Sequence, residues 1–249
     1  KVFMAAGALN SPALLKKSGI YRSLNFNLNF HLNLRVFSSF SNKLNSENAT
    51  MFIYQIQEFA KEGILIMGTN FRPSYVASAL SHLSNEEIIK AFDEYEYSAL
   101  YTTMVKPLNS AKIYVTPNGD KVIKHNLNNY DLSILKRSLY LTSKLLFHAG
   151  AKKVILPLTN CGPLFSLLEA ENAINKSKLG HFSLVSVHAM SSCAMGVGTD
   201  DICNINGKYN NLDNLYVCDA SILPSSTYES PQGTIMAVSH EILERYLNN

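Results

Sequence analysis

The sequence contains no tryptophan and little charge: charged residues make up 16% of its 249 positions, and the formal net charge is only +3. No block of lysine and arginine stands out, so nothing favours a nucleic-acid partner. The longest apolar runs, such as residues 63–67, are far too short to span a bilayer. With 47% hydrophobic residues, the composition is that of a globular chain with one large or two modest domains.

Several catalytic and metal-binding signatures are also missing. The four cysteines, Cys161, Cys193, Cys203 and Cys218, form no C-x-x-C pair, which argues against a zinc site. We expect them to be buried reduced thiols in a cytoplasmic protein. The sequence has no H-E-x-x-H, H-x-x-E-H or G-x-S-x-G motif, so a metalloprotease and a serine hydrolase have no support. It also has no G-x-G-x-x-G fingerprint of a dinucleotide-binding turn.

The chain opens on "KVFMAAGALNSP", an apolar strand that runs directly into a small-residue turn. One reading is a short N-terminal edge strand. The other is that the chain begins inside a domain whose first part lies outside this sequence. The basic start, long apolar core and cleavage site of a signal peptide are not present.

Local patterns predict the main elements. Residues 11–19 are predicted to form a helix with Ser11 as N-cap, and residues 111–127 an antiparallel hairpin. A helix capped by Ser84, a long helix over residues 131–150 and a final helix after Pro231 are also predicted. Strand–turn–helix units at both ends and antiparallel hairpins between them favour an α/β part that is split in sequence by an α+β insertion.

The stretch "SLVSVHAMSSCAMG", residues 183–196, is predicted to be a buried strand that ends at His188 and a tight small-residue turn. A lone histidine is more often a hydrogen-bonded core residue, but an imidazole here could serve an oxidoreductase as general base. The turns at 6–8 and 218–221 would let backbone N–H groups approach a ligand closely. Each turn could equally be a simple tight connection, and the residues alone leave both readings open.

Four segments in order resemble signatures of the glucose–methanol–choline (GMC) oxidoreductases. They are "GALNSPALLKKSGI" from Gly7, "HAMSSCAMG" from His188, "NLYVCDASILP" from Asn214 and "SPQGTIMAVS" from Ser230. Tyr21 departs from the usual closing glycine of the first signature, and Ser191 stands where glycine is common in the second. The resemblance spans nearly the whole chain.

The resemblance implies FAD as cofactor and oxidation of an alcohol by hydride transfer to flavin N5. His188 matches the histidine that takes the proton of the substrate hydroxyl, and Ser230 stands where a second polar residue, His or Asn, is usual. The implied cofactor-binding residues are Gly7 and Ala8 near the phosphates, Asp219 and Ala220 near the ribityl and pyrophosphate, and Gln232, Gly233 and Thr234 near the pyrimidine end of the ring. His31 resembles a histidine often found after the first signature, for which we expect a structural role.

The same resemblance implies a domain division. Residues 1–24 and 189–249 would be the remainder of a Rossmann-like FAD-binding domain, and residues 25–188 an inserted antiparallel-sheet substrate domain. The family's glycine fingerprint precedes the first signature, so this chain resembles a C-terminal portion whose partner is the N-terminal half of the same enzyme. The segment 130–157 resembles the long-chain alcohol oxidase branch, which favours an apolar alcohol. A non-catalytic fragment that needs that N-terminal partner, and a lyase on the same fold, remain alternatives.

Overall fold

A computed structural model describes residues 1–20, 25–50, 54–198 and 201–248. In chain order its helices and strands are β1 (Val2–Met4), α1 (Asn10–Lys17), β2 (Asn25–Phe30), β3 (Leu32–Ser39), β4 (Gln55–Ile56), β5 (Ile64–Gly68), α2 (Pro73–Ala79), α3 (Asn85–Phe92), β6 (Ser98–Val105), β7 (Ala111–Val115), β8 (Lys121–Lys124), α4 (Asn129–His148), β9 (Lys153–Ile155), α5 (Leu167–Lys176), β10 (Ala189–Met190), β11 (Met195–Gly196), β12 (Cys203–Asn204), β13 (Leu215–Val217) and α6 (Gln232–Leu247). Tyr21, at the departure from the first signature, lies outside the described residues.

The chain divides into two compact units. Unit 1 comprises residues 1–31, 107–126 and 186–249, and unit 2 comprises residues 32–106 and 127–185. Strand β2 is part of unit 1, where it pairs with β7 and with β10. The predicted division, with boundaries after residues 24 and 188, stays a prediction. The assignment of the parts to cofactor and substrate stays a prediction.

Unit 2 is built on a five-stranded antiparallel sheet with the order β4-β5-β6-β3-β9. Strands β4 and β5 pair antiparallel across the turn that ends at Gly63, and residues 51–53 lie outside the described residues. Leu100 joins an apolar cluster with Phe37, Phe71 and Leu80. Thr103 lies three residues further along β6, so its side chain is on the opposite face of the sheet, where it forms a 2.5 Å hydrogen bond to Thr142 of α4.

Helix α4 confirms the clearest helical pattern of the sequence. Its N-cap is Asn128, and Asp131 completes a capping box: Asn128 Oδ1 accepts from Asp131 N, and Asp131 Oδ2 accepts from Asn128 N. After its end, Gly150 has φ +90, a conformation that glycine adopts without a Cβ penalty. The helix α3 begins with a capping box at Ser84, as predicted.

Unit 1 combines a four-stranded antiparallel sheet, order β10-β2-β7-β8, with two short parallel pairs, β1–β13 and β11–β12. The predicted hairpin is confirmed as β7 and β8. Side chains alternate along the sheet: Phe26 and Leu28 of β2 and Ile113 of β7 are buried against Ala8 and Ala13. Mixed α/β structure with antiparallel sheets is thus confirmed, whereas a partial FAD-binding domain stays a prediction.

Helix α6 closes unit 1 with a single fully buried side chain, Ile242. Ile242 packs in a cluster with Met4, Leu15, Val217 and Tyr209. Val238 also packs against this cluster, while Leu243 is exposed. No helix among the described residues has the length and apolar character needed to cross a membrane.

Two local predictions were wrong. Ser11 is not an N-cap: α1 begins at Asn10, its N-cap Leu9 makes no side-chain bond, and the Ser11 hydroxyl donates to Asp219 instead. Residues 183–188 are not a continuous buried strand: Val185 makes only an isolated antiparallel bridge with Asn33 of β3, and the ladder on β2 begins after His188, at Ala189 and Met190. Val187 is 65% exposed, so the apolar run before His188 does not point into the core.

Candidate active site

Two histidines of unit 1 contact each other through their Nδ1 atoms. The antiparallel register pairs Ala189 with Phe30, so the next residues outward, His188 and His31, lie opposite one another. The two Nδ1 atoms are 3.1 Å apart, and the ring planes are perpendicular with centroids separated by 5.3 Å. The strand pairing therefore places a second imidazole directly against the predicted general base.

The second ring nitrogen of His31 is also engaged. His31 Nε2 lies 2.8 Å from the carbonyl oxygen of Thr227, and because a carbonyl only accepts, Nε2 carries the hydrogen. The His31 side chain is 1% exposed. His31 thus ties His188 to the segment that leads through Ser230 into α6.

Partial burial changes the acid–base behaviour of His188. The ring is half-buried, and this desolvation lowers the pKa of His188 below its ordinary value of 6.5. Burial has this effect because it penalises the charged imidazolium. At neutral pH the His188 ring is therefore neutral and able to accept a proton.

The Asp219 carboxylate joins the two ends of the chain. Its Oδ2 accepts from Gly7 N at 2.9 Å and from the Ser11 hydroxyl at 2.5 Å, and its Oδ1 accepts from Ser221 N at 2.7 Å. Asp219 is buried. Both carboxylate oxygens are thus used to hold backbone turns together, and the Gly7 N–H, predicted to face a phosphate, donates to this side chain.

The residues after His188 contact both of these turns. Ser191 N donates to Ala220 O at 3.0 Å, and the Ser192 hydroxyl donates to Ala8 O at 2.6 Å. Ser191 has φ +70, in the left-handed region that favours glycine, which accounts for the glycine common at this position of the signature. The first three signature segments, including Gly7, Ala8, Asp219 and Ala220, therefore share one hydrogen-bonded cluster.

The fourth segment is connected less directly. Ser230 precedes α6, whose first turn contains Gln232, Gly233 and Thr234, and all four residues are exposed. Within the described parts of the chain, no hydrogen bond joins their side chains to His188 or Asp219. Their link to the cluster is the bond from His31 to Thr227, three residues before Ser230.

The glycines of the site leave room for a flat ligand. Gly7 has φ +85, and a Cβ placed on Gly7 or on Gly233 would meet no atom within 4 Å. Open space beside backbone, flanked by small residues, is what the close approach of a cofactor ring or phosphate requires. The backbone at these two turns is therefore open to a ligand, and the residues that would hold a flavin nucleotide there stay a prediction.

The chain belongs to the GMC oxidoreductase family: the family model described as GMC oxidoreductase matches residues 115–239, about half of the chain. This range contains the His188, Asp219 and Ser230 segments.

Individual relatives agree with this assignment. The chain is 26% identical to the GMC-type oxidoreductase y4nJ of Sinorhizobium fredii, over 100% of this chain and 49% of that protein. It is 24% identical to long-chain-alcohol oxidase FAO3 of Arabidopsis thaliana, over 97% of this chain and 35% of that protein. The crystal structure of pyridoxine 4-oxidase from Mesorbium loti superposes with a TM-score of 0.73 at 19% identity, over 100% of this chain and 52% of that one. The chain thus spans about half the length, or less, of these relatives.

Sequence reasoning gave His31 no part in the chemistry, and its contact with His188 is the main addition that the structure makes. The signal lay in the pairing of β2 with β10, which the sequence could not reveal because 157 residues separate the two histidines. Ser11, predicted as a helix cap, is the second residue that the structure adds to the site, because its hydroxyl donates a hydrogen bond to the Asp219 carboxylate.

Proposed function

We propose that this chain is the C-terminal part of an FAD-dependent GMC oxidoreductase that oxidises an alcohol, with His188 as the general base. The observation that carries the proposal is the state of His188: half-buried, neutral at pH 7 because burial lowers its pKa, and hydrogen-bonded to a second imidazole at 3.1 Å. Family membership supplies the reaction class, and the site supplies a base suited to it.

FAD, when bound, supplies the acceptor for the hydride that leaves the carbinol carbon. Gly7, Ala8, Asp219, Ala220, Gln232, Gly233 and Thr234 are the residues proposed to hold it. In the GMC reaction the alcohol O–H bond breaks as well, and His188 takes that proton while the carbon–oxygen bond becomes a carbonyl. The exposed Ser230 hydroxyl is proposed to hydrogen-bond the substrate oxygen and so to orient the alcohol.

The substrate is proposed to be an apolar alcohol. The support is the resemblance of segment 130–157 to the long-chain alcohol oxidase branch and the match to FAO3 across 97% of this chain. In the described structure part of that segment is α4, whose buried face is mixed, with Leu135 and Leu139 beside Ser138 and Thr142. A comparison of kcat/KM for alcohols of increasing chain length tests this choice, and a preference for short polar alcohols would reject it.

A second candidate is a subunit that acts only with an N-terminal, nucleotide-binding partner. A cavity of about 520 Å³ in unit 1 is lined by β1 and α1, including Phe3, Met4 and Leu15. At its rim Val2 and Leu14 are 54% and 46% exposed, an apolar surface that favours further protein packed against it. If this candidate is right, the chain binds FAD and turns yellow only when the partner is co-expressed.

The general-base proposal is tested with His188→Ala in the whole protein that carries this chain. We expect kcat/KM to fall about 10²- to 10⁴-fold, the usual contribution of a general base, while bound FAD measured by absorbance is retained. His148→Ala is the matched control, because that histidine is exposed on α4 and bonds only the backbone of its own helix. Equal loss of flavin and turnover in His188→Ala would reject the base role.

The pH profile gives an independent test. A base must be neutral, so activity is lost as pH falls through the pKa of His188, which burial holds below 6.5. We therefore expect the acidic limb of the kcat/KM profile at a pH lower than that of an ordinary histidine. An acidic limb above 6.5 would contradict the assignment.

A further inference from the structure

We propose that His31 is a positioning residue that fixes the tautomer of His188, so that Nε2 of His188 is the basic nitrogen. The inference rests on the proposed function of His188, and it goes beyond it by naming the atom that takes the proton and the residue that selects it. It depends on the hydrogen bonds at three ring nitrogens.

The first step is the protonation of His31 itself. Its Nε2 lies 2.8 Å from Thr227 O, which can only accept, so the hydrogen of His31 is on Nε2. A neutral imidazole carries one N–H. In the proposed arrangement His31 is in the neutral form, which burial favours over the imidazolium, and its Nδ1 presents a lone pair.

The second step transfers this constraint to His188. The two Nδ1 atoms are 3.1 Å apart, which is a hydrogen bond only if one of them carries a hydrogen. Since His31 Nδ1 is the acceptor, His188 Nδ1 is the donor. A neutral His188 then has its lone pair on Nε2, and which nitrogen is basic follows from the bond that the other one makes.

The same contact also serves the state after proton transfer. When Nε2 takes a proton, His188 becomes an imidazolium that still donates Nδ1–H to His31. Hydrogen bonds from an ionised donor are stronger than neutral ones, so the contact stabilises the charge as it forms. His31 holds this geometry because its own ring is 1% exposed and bonded at both nitrogens.

The competing arrangement has a clear signature. If His31 carried a second hydrogen it would donate from Nδ1, and His188 would then be protonated on Nε2 and unable to accept a proton there. The two arrangements differ in the tautomer of a single ring. ¹⁵N-histidine NMR of the whole flavin-loaded protein distinguishes them, with the His188 signals identified by their loss in His188→Asn.

In the unsubstituted protein we expect the ¹⁵N signals of His188 to show a protonated Nδ1 and an unprotonated Nε2. An Nε2–H pattern would overturn the proposal without any further variant. This measurement needs no turnover, so it stands apart from the test of the general base.

Two substitutions of His31 by side chains of nearly equal size test whether His31 causes the tautomer of His188. His31→Asn offers an amide oxygen near the position of Nδ1, whereas His31→Leu offers no acceptor. We expect His31→Leu to convert His188 toward the Nε2–H tautomer and to lower kcat about 10- to 100-fold with FAD retained, by analogy with the loss of hydrogen-bond partners of metal-ligating histidines. His31→Asn should keep the Nδ1–H pattern and most of the turnover.

The outcomes separate the two levels of the argument. If His188→Ala abolishes turnover but both His31 variants leave the tautomer and kcat unchanged, the positioning role is rejected and the base remains. If His188→Ala keeps full turnover, the base itself is rejected, and the role of His31 with it. Equal loss of turnover in both His31 variants, with an unchanged His188 tautomer, would indicate a merely structural residue.

Discussion

The contacts that stabilise unit 1 internally differ in kind from those that stabilise unit 2 internally. In unit 2 an eight-residue strand, β3, pairs along its whole length with β6, and the twenty-residue α4 begins with a capping box closed between residues three apart. In unit 1 the parallel strands are two or three residues long, and side chains connect distant segments. The bond from Gly7 to Asp219 spans 212 residues, and that from Ser192 to Ala8 spans 184.

This difference shows where the candidate site gets its shape. A long ladder fixes a fold through many similar bonds, so each bond matters little. The cluster of unit 1 relies on a few buried side chains among the signature residues: Asp219 holds two backbone N–H groups and one hydroxyl, and Ser192 holds one backbone carbonyl. We expect single substitutions in unit 1 to cost more than comparable ones in unit 2.

The largest effect is expected at Asp219. Asp219→Ala leaves the Gly7 N–H, the Ser11 hydroxyl and the Ser221 N–H without their acceptor. The Ser11 and Ser221 groups are buried, and each buried polar group so abandoned costs about 1 to 3 kcal/mol, whereas the partly buried Gly7 N–H costs less. We predict a fall of about 3 to 6 kcal/mol in the free energy of unfolding, measured by urea titration. Asp219→Asn, which keeps one acceptor oxygen, should cost less.

The matched substitution in unit 2 is Asp131→Ala, also at a buried aspartate. Its carboxylate closes the capping box of α4 with Asn128, and loss of a cap costs about 1 to 2 kcal/mol. If Asp131→Ala proves as costly as Asp219→Ala, the contrast between local and long-range contacts is wrong.

The second prediction compares two glycines with left-handed backbones. Gly207 in unit 1 has φ +74, and an added Cβ would lie 2.5 Å from Ile242 Cδ1, the buried side chain of α6. Gly150 in unit 2 has φ +90 and open space around it. Gly150→Ala should cost about 1 to 2 kcal/mol for the backbone alone. Gly207→Ala should cost about 1 to 3 kcal/mol more, for overpacking, in the same urea measurement.

A double substitution sharpens this result. Ile242→Ala removes Cδ1, Cγ1 and Cγ2, the three atoms that an added Cβ at Gly207 would meet at 2.5 to 2.9 Å, so the cost of Gly207→Ala should be smaller in that background. An unchanged cost would mean that backbone strain, and not contact with Ile242, sets the penalty.

The sequence predicted elements that are built from near neighbours. The β7–β8 hairpin, α4 and the Ser84 cap depend on residues a few positions apart, and all are confirmed. Ser11 was misassigned because a serine before a proline looks like a helix cap, while its acceptor lies 208 residues away. The strand before His188 failed for a related reason: apolar, β-branched residues form a strand only where a partner pairs along their length, and here Val185 alone makes an isolated bridge, to Asn33 of β3.

The candidate site shows the same limit. The signature residues could be named from their resemblance to a family, but the hydrogen bonds that join them could not. His31 and His188 meet only because β2 and β10 pair, and no periodicity in the sequence encodes that pairing. The roles of Ser230, Gln232, Gly233 and Thr234 stay predictions.

The smallest effect, and one of opposite sign, is expected at Ser191. Its backbone is left-handed at φ +70, and its buried hydroxyl has no partner among the described residues. Ser191→Gly removes the cost of the left-handed backbone and the cost of the unpartnered hydroxyl. Glycine also gives the unfolded chain more backbone entropy, which opposes folding by about 0.5 to 1 kcal/mol. We therefore predict a net increase of about 1 kcal/mol in the free energy of unfolding. The rise in the urea midpoint should occur without loss of the Ser191 N–H bond to Ala220.

Two controls assign the gain from Ser191→Gly to its cause. Ser191→Ala removes the hydroxyl but keeps the Cβ, so it should recover only part of the gain. Asn160 in unit 2 is also left-handed, at φ 59, but it is exposed, and asparagine tolerates this conformation. Asn160→Gly should therefore change stability little. A loss of stability in Ser191→Gly would show that the serine hydroxyl makes a contact that outweighs the strain of its backbone, and that the departure from the family's glycine is itself an adaptation of unit 1.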